Sequence, residues 1–464
     1  MKKLYIFLLS GSLIAFTGCK KFIDVNNDPN NPTTVQESLI LAPIELQLSS
    51  NVYGGGGVAC NVQEYLQVMA LNQVAPNSGT YLMYNSDMDG DWGNIYVKVL
   101  NSLVNLNKLA TTNGKTNYSG IAKILTAYTL GTTTDLWGDI PYTKAFNGVS
   151  NLTPSYDSQQ SIYTQIQSLL DAGIADIKKN SSVTPGGDDY YYNGDMSKWT
   201  KLAYTLKARY YMHLSKAPGT TAAAQAALAL TALQNGMESN DDDMKMPYTG
   251  AAGGENPWQQ NFLSTSTFVL GDTFVNGLIA RNDPRLTKMV APAIQTGLYT
   301  GRQNGLLGIG SLEAYSIPTD FYAGTGANDY MVNYSEALFL KAEATLITSG
   351  YTAAAPFYIA GVQSHMTKLG VSTTDANTYL ASRTLTSANA LQLIMEEKQL
   401  ADFLSLENFT DWRRSGFPVL TKVINASTTA IPRRVLYPQV EITSNPQPQQ
   451  TARLTDRVWW DAAQ

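Results

Sequence analysis

The sequence predicts a mainly α-helical protein, built as stacked helix pairs with one large irregular face. Three observations lead there. Apolar residues recur three and four apart over segments of about 15 to 20 residues, separated by short turns. A long stretch, about residues 240–333, is rich in Gly, Pro, Asn and Thr and lacks such periodicity. The chain has only two cysteines in 464 residues, so a hydrophobic core rather than disulfides must hold it.

The elements follow in order. Residues 1–18 read as a signal peptide: Lys2 and Lys3, an apolar run from Leu4 to Phe16, then Thr17-Gly18-Cys19. The run is too short to span a bilayer, which takes about 20 residues. Gly18 before Cys19 resembles a bacterial lipobox, so Cys19 is expected to become the acylated first residue of the mature chain, since several acyl chains anchor firmly. Residues 19–33 form a polar tether of turn formers, Asn26-Asn27-Asp28-Pro29-Asn30-Asn31-Pro32. Residues 34–464 are one domain. Helices are expected over 35–50 and 58–71, split by Gly54 to Gly57. A second pair covers 92–109 and 118–136, and a third helix covers 157–179 with Asp157 and Gln160 as a capping box. Further helices cover 198–214 and 222–233. The loop-rich insert of about 240–333 follows, and helices resume over 334–348, 353–369 and 387–404. From Phe417 the chain is Pro-rich and irregular. Helix pairing and length suggest hairpins of the tetratricopeptide kind. A long irregular segment on a rigid scaffold is where function is expected.

Charge and chemistry narrow the function. The formal charge is −5, and loss of Lys2 and Lys3 takes it to about −7. No Lys/Arg cluster stands out, which argues against nucleic acid. The 27 Tyr and 7 Trp suit wet grooves, where a flat apolar face meets a hydroxylated ligand. The two histidines, His213 and His365, lie in separate helices with no Cys pair, so no local zinc motif exists. No Gly-x-Ser-x-Gly elbow is present, and Asn113-Gly114-Lys115-Thr116 lacks the first glycine of a phosphate loop. Asp87, Asp89 and Asp91 alternate like a calcium loop, but Trp92 and Lys98 stand where Gly and Glu are needed. Asp241-Asp242-Asp243 reads as a solvated acidic turn. No enzyme, metal or cofactor is expected.

Several strings coincide with a known family. These are Phe22-Ile23-Asp24-Val25-Asn26 with Asp28-Pro29, and Asp135-Leu136-Trp137-Gly138-Asp139-Ile140-Pro141-Tyr142. Asp195 with Trp199 and Lys201, and Asn282-Asp283-Pro284-Arg285-Leu286, follow. Then come the helix Glu336 to Ala344, the turn Glu407 through Asp411-Trp412-Arg413-Arg414 to Pro418, Pro432 to Pro438, and Trp459-Trp460-Asp461. Together they cover nearly all of residues 19–464, and the chain resembles the SusD/RagB group of outer-membrane lipoproteins, in its SusD-like family 2 branch. The resemblance implies tetratricopeptide-like helix pairs with a loop-rich face. It also implies surface display on the outer membrane and pairing with a TonB-dependent transporter, over which the protein traps oligosaccharides or peptides. Most of the shared strings read as structural: Asp411, Arg413 and Arg414 as ties between loops and helices, Asp283 and Arg285 as a tied turn.

The resemblance places the ligand on the loop-rich face, and loop aromatics and amides there are the candidates. They are Asn72, Tyr81, Tyr84 and Trp92 in one region, and Trp258 with Tyr322 in the other. Trp258, after Asn256-Pro257 in a Gly-rich loop, is the leading platform. Two functions remain: a nutrient-binding lipoprotein, with oligosaccharide preferred over peptide, or a helical scaffold that binds only a protein partner.

Overall fold

The computed structural model describes residues 35–462 other than 180, 264 and 265. The expected signal peptide, Cys19 and the tether lie outside them. The chain is mainly helical, as predicted. The longer helices are α1 (Ser38–Gln47), α2 (Gly57–Tyr65), α3 (Asn101–Thr112), α4 (Thr116–Trp137), α5 (Gln159–Ile177), α6 (Met196–His213), α7 (Ala222–Ala232), α8 (Asp272–Ala280), α9 (Tyr334–Ser349), α10 (Tyr351–Lys368), α11 (Thr373–Ala381), α12 (Ala390–Ala401) and α13 (Glu407–Ser415). They stack in sequence as a tetratricopeptide-like array. Helix α4 packs on α3 and α5, α6 on α5 and α7, and α9 on α7, α10 and α12.

Local chemistry explains most boundaries. The carboxylate of Asp195 accepts from the backbone N–H groups of Ser197 and Lys198 and starts α6. Asn333 and Ser372 do the same for α9 and α11. Gly138 stops α4 at φ +84°, and Gly350 turns α9 straight into α10 at φ +83°. Helix α4 is central, with most of its residues buried around its circumference. One large apolar core runs through α1 to α9 and the insert, and a smaller one lies between α9, α10, α11 and α12.

Three expectations are corrected. The helix expected over 58–71 ends at Tyr65, because Gln67 turns left-handed (φ 56°) and Met69–Leu71 becomes strand β1. Strand β1 pairs antiparallel with β3 (Phe268–Leu270), Ala70 opposite Val269, a pairing set by a segment some 200 residues away. The cap of α5 is Ser158, accepting from Ser161; Asp157 instead accepts from the backbone N–H groups of Tyr142 and Thr143. The helix expected over 387–404 is present as α12, and the short helices α11 and α13, which the sequence reading did not include, flank it. Finally, Asp242 and Asp243 are buried and paired rather than solvated. Asp242 accepts from Lys201 at 3.2 Å, and Asp243 pairs with Lys368 at 2.5 Å.

The insert carries short helices and two more small ribbons, β2 (Met244–Met246) with β6 (Asp329–Val332), and β4 (Val290–Ala291) with β5 (Ile317–Pro318). Buried arginines tie the insert and the C-terminal tail to the helices. Arg285 bonds Asp283 (2.7 Å) and Glu397 (2.6 Å), and Arg413 donates to the carbonyls of Asp135 (2.6 Å) and Arg433 (2.9 Å). Arg414 forks onto Glu343, the tie expected of it, but the double-Arg segment is helix α13 rather than a turn.

Candidate functional site

The loop-rich face is built around Asn72, the first residue after β1. Its amide brackets Gly310, donating to the carbonyl at 2.8 Å and accepting from the N–H at 2.9 Å. Arg302, 2% exposed, donates to Leu71 O (3.1 Å) and Gly308 O (2.7 Å) and lies over the Tyr315 ring. These bonds hold loop 305–310 against the strand pair. Leu307 and Ile309 in that loop face outward, as does Val74, and the Leu307 carbonyl accepts from the N–H of Ala75, the residue after Val74.

The remaining expected residues separate. Tyr84 is open, 60% exposed, with its N–H capped by Asp87 at 2.8 Å. Tyr81 holds a left-handed backbone (φ 63°) and turns its ring edge-on to Tyr65 in the core. Trp92 stacks on Tyr96 at 4.4 Å and meets Trp137 edge-on. Trp258 and Tyr322 do come together, in a cleft shared with Tyr53, Asp329, Tyr330 and Phe403. That cleft has about 20 Å³ of free space, room for one water and far below the ~300 Å³ of a small-molecule site. A sugar ring stacks only on an open aromatic face. Asn72, Tyr81, Trp92, Trp258 and Tyr322 are all buried here, and Tyr84 is the open one among the six.

Electrostatics follow burial. Burial pushes the Asp329 carboxyl up to about 6, against hydrogen bonds from Ser49 and Trp258 that favour its charge. Burial likewise raises Glu64, beneath the turn at Ser78–Thr80, to about 8. Burial opposes protonation of His213, and the flanking carboxylates of Glu407 (2.8 Å) and Asp135 (3.2 Å) overcome it, raising the imidazole to about 9. Asp87, Asp89 and Asp91 each accept a backbone N–H, from Tyr84, Val440 and Val58. No cluster of three or more His, Cys, Asp or Glu placed to hold a metal occurs among the described residues.

A second concavity is not legible in the sequence. It is an open cleft of about 350 Å³ at the C-terminal end of α4, lined by residues from three separated segments. Gly138 and Asp139 supply the first, Arg434 and Tyr437 the second, and Gln449 to Trp459 the third. The strings around Gly138, Arg434 and Trp459 were each legible as motifs, but nothing in their spacing says that they meet.

Comparison with known proteins extends the geometry. A family profile described as "Starch-binding associating with outer membrane", SusD-like, matches residues 29–438. A solved structure named a chitin-binding protein is similar at 25% identity and TM-score 0.80, covering 92% of this chain and all of that one. A SusD/RagB family protein from Bacteroides thetaiotaomicron matches at 25% identity and TM-score 0.80, over 93% and 100% of the two chains. A chitin-binding SusD homolog from Flavobacterium johnsoniae shares the fold at 23% identity and TM-score 0.79, over 92% and 98%. No curated protein matches.

Proposed function

The chain belongs to the SusD-like family, and from that premise we propose that it is a surface lipoprotein that captures an oligosaccharide for a partner TonB-dependent transporter in the outer membrane. The observation that carries this reading is the match over residues 29–438 to a family described as starch-binding and associated with the outer membrane. The chitin-binding name of a structure 25% identical over its whole length points to the same ligand class. The role is binding without turnover.

Anchoring is assigned to acylation of Cys19. Among the described residues no helix is long and apolar enough to cross a membrane. Docking is assigned to the insert, which exposes Ile294 (78%), Leu298 (65%), Leu307 (57%) and Ile309 (63%). Capture is assigned to the surface around Tyr84, the open one among the six candidate residues.

Native electrophoresis of the chain from residue 19, carrying Cys19→Ser, through gels containing amylopectin or glycol chitin tests the ligand class. Retardation in at least one polysaccharide is expected. Free migration in both, with saturable binding of mixed peptides, would overturn the glycan reading.

A further inference from the structure

The cleft at the end of α4 has the makings of a second site. Its walls are already fixed by bonds within the protein. Gly138 ends α4 at φ +84°, a conformation that favours glycine. Tyr437 donates its hydroxyl to Asp139 O at 2.7 Å, and Arg434 donates to Trp137 O while stacking beneath the Tyr437 ring at 5.0 Å. Asp461 clamps Arg433 (2.6 Å) and Arg457 (2.9 Å). A preformed wall of this kind loses little freedom when a ligand arrives.

Several polar groups on these walls retain unused bonding capacity. The Nη1 edge of Arg434, which faces Gly138, has no acceptor among the described residues. The side-chain carbonyl of Gln449 is buried and has no donor among them. Asp456 uses one carboxylate oxygen for the Arg453 N–H, at 2.8 Å. Asp139 takes Gln159 N at 2.9 Å on one oxygen and a long 3.4 Å contact from Gln449 on the other. Trp459, half-buried, adds an aromatic wall.

The charges select the ligand. Arg434 and Arg457 oppose Asp139 and Asp456, so the lining sums to zero. An anion would meet two carboxylates and a cation two guanidinium groups. A neutral polyol satisfies both sets, because each hydroxyl donates to a carboxylate and accepts from a guanidinium. A volume of about 350 Å³ sits at the lower end of small-molecule sites, ~300–1,000 Å³. We propose that this cleft is a second carbohydrate site, holding one end of a neutral oligosaccharide between the Trp459 wall and the Arg434–Asp139 pair. The proposal rests on the glycan-binding reading, and Tyr84 is not among the residues that line this cleft.

Calorimetric titration of the chain from residue 19 (Cys19→Ser) with maltotriose and chitotriose tests it. The variants are Trp459→Ala, Thr451→Trp, which fills the cleft from its exposed rim, and Tyr84→Ala. Two equivalents of sugar are expected per chain. Either cleft variant should weaken one of them by at least roughly tenfold, about 1.4 kcal/mol, and leave the other unchanged. Thermal unfolding of Thr451→Trp near the parent value shows that the loss is local. Binding of one equivalent that both cleft variants leave intact would overturn the second site while the glycan reading stands. One equivalent lost only in the cleft variants would support the cleft and remove the Tyr84 region. No binding of either sugar would overturn both.

Discussion

Arg285 has no exposed surface, and its guanidinium is held by Asp283 and Glu397 with the Tyr379 ring 5.2 Å away. Removing one partner of a buried pair strands the others in a medium that solvates charge poorly. Arg285→Met is therefore expected to destabilise the fold by ~3–5 kcal/mol in urea unfolding. The Arg457 side chain is 44% exposed where it meets Asp461, and Arg457→Ala should cost under ~1 kcal/mol. Protons add a second residue-scale effect. His213, raised to about 9, stabilises the fold below its ordinary 6.5, and that contribution fades as pH rises through 9. Glu64, raised by burial from 4.5 to about 8, keeps in the fold a proton that the unfolded chain releases, so stability also falls across that window. Asp283, held below 3.8 by Arg285 despite its burial, acts the other way, its contribution being lost as pH falls below that value. The unfolding midpoint should thus peak near about pH 5 and decline toward pH 9. Glu64→Gln should flatten the decline between 4.5 and 8. An unaltered profile in that variant would exclude Glu64 as a cause.

At the scale of elements, α4 and α5 meet at two glycines that face each other. A Cβ on Gly120 would lie 2.7 Å from an Ile177 side-chain carbon and 2.9 Å from the Gly173 carbonyl, and one on Gly173 would lie 2.8 Å from Ile124. Gly120→Val is expected to force this hairpin apart at ~1–3 kcal/mol, visible as a lowered thermal midpoint. The long helices were legible because their apolar faces repeat over several turns: Ile121, Ile124, Leu125 and Tyr128 in α4 are all buried. Short elements were not. The nine residues of α11 and of α13 are too few for a period to declare itself, and α13 buries Glu407, Asp411, Arg413 and Arg414 as paired charges. Strand β1 is defined by its partner near residue 270, which no local window contains. The role of Arg413 and Arg414 as ties is legible because forked guanidinium groups beside acids announce bidentate bonds, though they sit in helix α13 and not in a turn. Which loops they tie depended on tertiary contact.

For the whole molecule, the stacked helices present one irregular face, and the position of that face was legible from the loss of periodicity over 240–333. The open and buried aromatics on it were not. Trp258 in a Gly-rich loop has the composition of a platform, yet the fold seats its indole at 2% exposure beside Asp329, while Tyr84 stays open. Exposure is a property of packing, and composition alone does not report it. The same holds for the cleft at Gly138, made by three segments that only the fold brings together. The outward apolar side chains give a further test at this scale. If the proposed docking holds, Leu307→Asp with Ile309→Asp should abolish co-purification with a co-expressed TonB-dependent transporter and leave polysaccharide retardation unchanged.

Anchored glycan capture is tested most directly by the retention of fluorescent maltoheptaose and chitohexaose on intact cells that carry the chain or its Cys19→Ser variant. The account predicts saturable retention of at least one sugar on cells with the native chain, and its loss from cells with the variant, which releases the protein from the membrane. Retention of neither sugar above that of cells lacking the chain, or equal retention by cells carrying the variant, would contradict it.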